Sequence, residues 1–128
     1  MYEDAAIDQA VEGVVNGIFF NQGHVCCAGS RLLLQESIHD EFVKKLEKRM
    51  QSLRVGNPLD KNTDIGAINS KEQLDKITGL VNEGVEDGGE LFQTECELPG
   101  NGFWFRPTLF TNVQPSYSIA REEIFGPV

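Results

Sequence analysis

No apolar stretch in the chain approaches the roughly 20 residues that a bilayer-spanning helix requires. There is no basic run either. Only 11 Lys and Arg stand against 20 Asp and Glu, for a formal charge of −9. Such a chain repels a phosphate backbone or an anionic lipid surface, so neither nucleic acid nor membrane is expected as a partner. The N-terminus, "MYEDAAIDQA", is acidic and lacks a signal-peptide core, which argues against export. Cysteine is scarce and odd in number: Cys26, Cys27 and Cys96. The adjacent pair can close only a strained ring, so reduced thiols in a cytoplasmic setting are expected. With His24 and His39 these thiols make no C-x-x-C or H-x-x-x-H spacing, and no metal site is expected. Internal repeats, low-complexity segments and linkers are absent as well.

What is present suits one domain of 128 residues with its own core. Asp8 to about Phe20 reads as a helix broken by Gly13 and Gly17. "RLLLQ" (Arg31–Gln35) is a short apolar run that suits a buried strand. Ser37 and Asp40 form a helix-start signal, and Phe42, Val43, Leu46, Met50 and Leu53 follow at helical spacing. Ser70 and Gln73 repeat that start signal, with Leu74, Ile77, Val81 and Val85 as the inward stripe. Gly88-Gly89 reads as the C-cap of this helix. "ELFQ" is a candidate strand, and "FWFRPTLF" is an aromatic extended segment interrupted by Pro107. Helices alternating with short strands predict an α/β fold.

The stretch "GHVCCAGSR" sets two thiols among small residues. A cysteine attacks carbon only as the thiolate, and an unperturbed thiol is roughly 3% ionised at pH 7. Backbone N–H groups in a glycine-rich turn supply part of the help such a thiol needs, and they also receive an oxyanion. His24, two residues away, is a candidate base. Against this, free cysteines are often buried packing residues and loop histidines are often simply solvated. Both alternatives stand on composition alone. "REEIFGP" is equally open: a charged turn before an aromatic anchor, or a carboxylate placed for the hydroxyls of a ribose.

"FFNQGHVCCAGSRLLLQESIHDEFV" resembles the active-site segment of the aldehyde dehydrogenase superfamily. The likeness continues through "VGNPLD", "IGAINSKEQLDKITGLVNEG" and "FRPTLF" to "AREEIFGPV". The resemblance implies an aldehyde dehydrogenase-like catalytic domain. Its activity would be NAD- or NADP-dependent oxidation of a small-molecule aldehyde to a carboxylic acid. It puts the nucleophile on Cys26 and leaves Cys27 as a neighbouring packing residue. By position, Glu123 takes the ribose beside nicotinamide and Phe125 lines the same site, while Gln73 and Lys76 lie near the cofactor. Family members commonly carry glutamine where this chain has His24.

The same resemblance implies parts that these residues do not contain. They are a general-base glutamate in an E-L-G-G-K type motif, an oxyanion-hole asparagine and the nucleotide-binding domain; no G-x-G-x-x-G loop is present. The chain stops at Val128 directly after Gly126-Pro127. Residues 1–128 are therefore expected to be a partial catalytic domain from a longer, homo-oligomeric enzyme. An aldehyde dehydrogenase-like scaffold with catalysis lost and a vicinal-thiol redox sensor are the competing expectations.

Overall fold

The computed structural model describes residues 1–128. Three helices carry the fold: α1 (Ile7–Phe19), α2 (His39–Met50) and α3 (Lys71–Glu86). Two short strands follow, β1 (Glu90–Gln93) and β2 (Thr108–Thr111), and then a single turn of helix, α4 (Ser118–Arg121). The strands pair antiparallel, with Glu90 opposite Thr111 and Gln93 opposite Thr108. β2 starts at the first residue after Pro107, which has no N–H to give to a ladder.

α1 and α2 pack face to face. Val11, Val15, Ile18 and Phe19 meet Phe42, Leu46 and Met50, with Leu53, Val55 and Ile65 closing the core beneath them. Gly13 and Gly17 do not break α1, because both sit on its surface with open space around them. Two ion pairs lace the helices: Lys45 to Asp8 and Arg49 to Glu12, both at 2.7 Å. Asp8, helped by Glu41, raises the pKa of Lys45 above its ordinary 10.5. Its stabilising effect is therefore complete below pH 10.5 and fades as pH climbs through the raised value.

α3 has the start and stop that its sequence promises. Ser70 Oγ accepts the Gln73 N–H at 3.1 Å. At the far end Gly88 takes φ +104, and Gly89 and Gly88 donate to the carbonyls of Gly84 and Val85. That pattern closes a helix with a left-handed glycine. A second core gathers on α3, where Ile77, Leu80 and Val81 meet Ile68 and Ile124. Ile124 brings the C-terminal segment onto the helix. Gly84 lets Phe110 and Ile119 approach closely, since a Cβ there would lie 2.8 Å from Ile119.

Three further local expectations fail. The "RLLLQ" segment is no strand: Leu32 and Leu34 pack on the first core while Leu33 points out, 81% exposed. Its alternation is strand-like, but its backbone finds no ladder: the Gln35 N–H and the Leu33 carbonyl meet Met1, and the Gln35 carbonyl accepts the Ile38 N–H. An apolar trough of about 650 Å³ lies between this segment and β2. Ser37 does not cap α2, because its hydroxyl donates to Glu3 instead and a 3₁₀ turn over Glu36–Ile38 precedes the helix. Val85 is 46% exposed, since the buried stripe of α3 runs through Leu80 and Gly84.

Phe42, fully buried in the first core, gives a direct check of this packing. Phe42→Ala is expected to cost about 3–5 kcal/mol, read as a lowered urea midpoint at unchanged slope. Leu33→Ala should change stability by less than about 0.5 kcal/mol. Equal effects would mean that the core is misplaced.

Candidate active site

The chain leaves α1 through three successive residues with left-handed backbone: Asn21 (φ +49), Gln22 (φ +57) and Gly23 (φ +73). Such a conformation costs about 1–2 kcal/mol at each non-glycine residue, so it persists only where surroundings enforce it. Here they do. Gln22 Oε1 accepts the Gly66 N–H at 3.0 Å, and the Asn21 carbonyl accepts the His24 N–H at 2.9 Å. The reversal leads into the turn Val25–Ala28, which the Ala28 N–H closes on the Val25 carbonyl, with Ala28 packed on the first core.

Cys26 and Cys27 occupy the middle of that turn, and both are exposed. Cys27, expected as a packing residue, is exposed within residues 1–128, where a mid-turn position turns it away from the first core. Neither Cys26 N–H nor Cys27 N–H donates a hydrogen bond within the chain. Both remain available to an incoming oxygen.

The C-terminal loop Glu123–Gly126 lies directly against the thiol turn. A Cβ on Gly23 would sit 2.1 Å from the Gly126 carbonyl oxygen, and one on Gly126 would sit 2.6 Å from Ile77. Glycine at 23 allows the two loops to approach, and glycine at 126 allows the C-terminal loop to lie on Ile77 of α3. Phe125 also takes a left-handed conformation, φ +53. Its carbonyl faces two nitrogens: Gln73 Nε2 donates at 2.9 Å and His24 Nδ1 lies at 2.8 Å. Gln73 Nε2 also reaches the Ile124 carbonyl at 2.9 Å.

The two loops enclose a cleft of about 40 Å³ lined by Cys26, Ser30, Glu123, Phe125 and apolar neighbours. Cys26, Glu123 and Phe125, far apart in sequence, thus line one small cleft. The Glu123 side chain is exposed and makes no hydrogen bond or ion pair within the chain, so its oxygens are free to accept hydroxyls. No lysine or arginine lines the cleft. Any thiolate at Cys26 would depend on backbone N–H groups for local support.

Two of the other candidates do not line the cleft. Lys76 is exposed on α3 and does not line the cleft. Gln73 is half-buried, and its amide nitrogen is spent holding residues 124 and 125. It clasps the loop that bears Phe125 instead of facing the cavity itself. His24 is neither a solvated loop residue nor a base for Cys26: the ring is half-buried and both nitrogens have backbone partners. The sequence reading missed Gly23, Gly126 and Gln22. The run N-Q-G after a helix is the one local signal for the first and last, since Asn and Gly tolerate left-handed backbone. No group of three or more His, Cys, Asp or Glu side chains is arranged to hold a metal ion.

This fold belongs to a known class. The sequence model of the Aldehyde dehydrogenase family matches residues 1–128, and the chain belongs to that family. It is 43% identical over its whole length to the cytosolic 10-formyltetrahydrofolate dehydrogenase of Xenopus laevis, of which it covers 14%. It is 44% identical to retinal dehydrogenase 2 of Homo sapiens, covering 25% of that protein. Among solved structures, an NAD-dependent aldehyde dehydrogenase from Sinorhizobium meliloti superposes with a TM-score of 0.92. That match is 40% identical and covers 98% of this chain and 25% of the other. A betaine aldehyde dehydrogenase from Staphylococcus aureus, solved with NAD+ and a BME-modified cysteine, matches at 0.91 with 35% identity; it covers 98% of this chain and 26% of that one. The chain spans about a quarter or less of the length of these relatives.

The glycine contact supplies a test of the loop pairing. Gly23→Ala should cost at least about 2 kcal/mol, from positive φ plus the clash with Gly126. Gly13→Ala, with open space around a mid-helix glycine, should stabilise by about 0.5–1 kcal/mol. Thermal unfolding of both variants measures the contrast. A neutral Gly23→Ala would show that the two loops do not touch.

Proposed function

We propose that residues 1–128 are part of the catalytic domain of an NAD(P)-dependent aldehyde dehydrogenase, with Cys26 as its nucleophile. The observation that carries this is the shared cleft: Cys26, exposed and with its backbone N–H unspent, lines the same small space as Glu123, whose carboxylate is unpaired, and Phe125. Left-handed, non-glycine backbone on both sides, at Asn21, Gln22 and Phe125, is the kind of strain that collects at catalytic sites.

Within this reading Cys26 adds as thiolate to the carbonyl carbon of an aldehyde, giving a thiohemiacetal. The backbone N–H groups of residues 26 and 27 lie free to receive the oxyanion. When bound, the dinucleotide supplies the acceptor for hydride. The sulfur retains the acyl group as a thioester until water releases the carboxylic acid, so that one hard step becomes two easier ones. Glu123 fits the ribose hydroxyls, because its carboxylate is exposed and unengaged at the cleft mouth, and Phe125 forms the adjoining wall. Gln73 serves that site indirectly through the loop it clasps, and Lys76 is left to the outer face of α3. Neither a phosphate cradle nor a general base is supplied to the cleft by residues 1–128, so further segments complete the machine. A cytoplasmic setting and a homo-oligomeric parent, with no nucleic-acid partner, complete the proposal. Three free thiols and the cytosolic relative favour the first of these.

Iodoacetamide labelling with peptide mapping, in the presence and absence of a small aldehyde, tests the nucleophile. Cys26 should react ahead of Cys27, which is also exposed, and the aldehyde should slow Cys26 alone. Equal labelling that is indifferent to aldehyde would contradict the assignment. The isolated chain, mixed with NAD and an aldehyde panel, should give no NADH above background; robust turnover would show that no further segment is needed.

A further inference from the structure

His24 Nδ1 lies 2.8 Å from the Phe125 carbonyl oxygen, and the Asn69 N–H points at His24 Nε2 from 3.4 Å. A carbonyl oxygen only accepts, so Nδ1 must carry the hydrogen. An amide N–H only donates, so Nε2 must offer a lone pair. One state of the ring satisfies both: neutral, with the proton on Nδ1. Adding a proton to Nε2 would set two donors face to face.

We propose that His24, held as this neutral tautomer, is a positioning residue: it pins the Phe125 carbonyl to the thiol loop and thereby sets the wall of the cleft opposite Cys26. This rests on the cleft being the active site. Three segments meet at the ring: its own loop, residue 69 just ahead of α3, and the loop bearing Glu123 and Phe125. Gln73 makes the second bond to the same carbonyl from α3. The two donors together hold a residue whose left-handed backbone would otherwise relax. Protonation of the ring cancels the Asn69 bond and loosens the pin, making the wall of the cleft sensitive to pH.

The charged and titratable groups on the surrounding elements are few. Cys26 and Cys27 share the loop of the ring, Glu122 and Glu123 precede Phe125, and Asp64, Lys71 and Glu72 flank Asn69. None of them hydrogen-bonds to the imidazole. Lys71 is engaged with Asp75, and Asp64 accepts the Arg54 N–H. The switch is thus the ring's own, with no ion pair to compete.

Long-range proton–nitrogen NMR of the nitrogen-15-labelled chain decides the tautomer directly. The expected spectrum shows Nδ1 protonated and Nε2 bare at about pH 8; the reverse tautomer would overturn the proposal. Hydrogen exchange at Asn69, whose N–H has no other partner, reads the pin itself. Lowering pH from about 8 to about 5 should cut Asn69 protection by roughly fivefold to tenfold after correction for intrinsic rates. His24→Gln retains one donor and one acceptor, so it should keep Asn69 protected and abolish the pH dependence. His24→Ala should be unprotected at both pH values. An unchanged pH dependence in His24→Gln would sink the idea, and if His24→Ala fails to fold, the wild-type tautomer and the glutamine variant still decide. None of these signals needs turnover or a reactive Cys26, so a failure of the active-site assignment is told apart from a failure here.

Discussion

The contact on which the site depends is the seating of Gly126 against Gly23. A single methyl group at residue 23 would come within 2.1 Å of a carbonyl oxygen. Because of that closeness, a turn near the beginning of the chain and a loop near its end behave as one surface. Everything chemical follows from it. Cys26 rides on one side, Glu123 and Phe125 on the other, and the cleft is the narrow space between. Polar bonds from His24 and Gln73 then fix the register of the two sides, both converging on the carbonyl of Phe125. Packing gives proximity here, and hydrogen bonds give orientation.

The rest of the fold anchors the two partners. α1 and α2 form an apolar core that carries the thiol turn at the end of α1. The turn leaves the helix through strained backbone, which throws the cysteines outward instead of letting them fill interior space. α3 anchors the other partner through Ile77, against which Gly126 lies, and through Ile124 in the second core. The N-terminal turn of α3 therefore has two duties. Ser70 starts the helix with the backbone N–H of Gln73, and the side chain of that glutamine is left free to clasp the loop. The strain at Phe125, costing about 1–2 kcal/mol, is carried by rigid elements on either side.

Much of this was legible in the residues, and the pattern of misses has a physical basis. Helices were readable because their periodicity and caps are local: Ser70, the Phe42–Leu46–Met50 stripe and Gly88 all appear where expected. The family, too, was readable from two motifs a hundred residues apart. What sequence could not supply was anything that depends on a partner across space. "RLLLQ" has the alternation of a strand yet finds no ladder within the chain. Ser37 turned to Glu3, a residue 34 positions away. His24 looked like either a base or a solvated ring, and only the fold shows that backbone groups from two other segments occupy both nitrogens. The resemblance puts Gln73 near the cofactor by position, and only the fold shows its amide bonded to the Ile124 and Phe125 carbonyls. Glycines 23 and 126 were invisible for the same reason, since a close approach exists only between two surfaces.

Paramagnetic broadening from a nitroxide placed on Cys26, in a Cys27→Ser, Cys96→Ser background, measures the union of the two loops most directly. Strong loss of the amide signals of Glu123–Gly126, with the amides around Asn57–Asn62 spared, is the expected pattern. Full-intensity signals from Glu123–Gly126 beside the label would mean that sulfur and carboxylate do not share a cleft, and the proposed catalytic centre would fall with it.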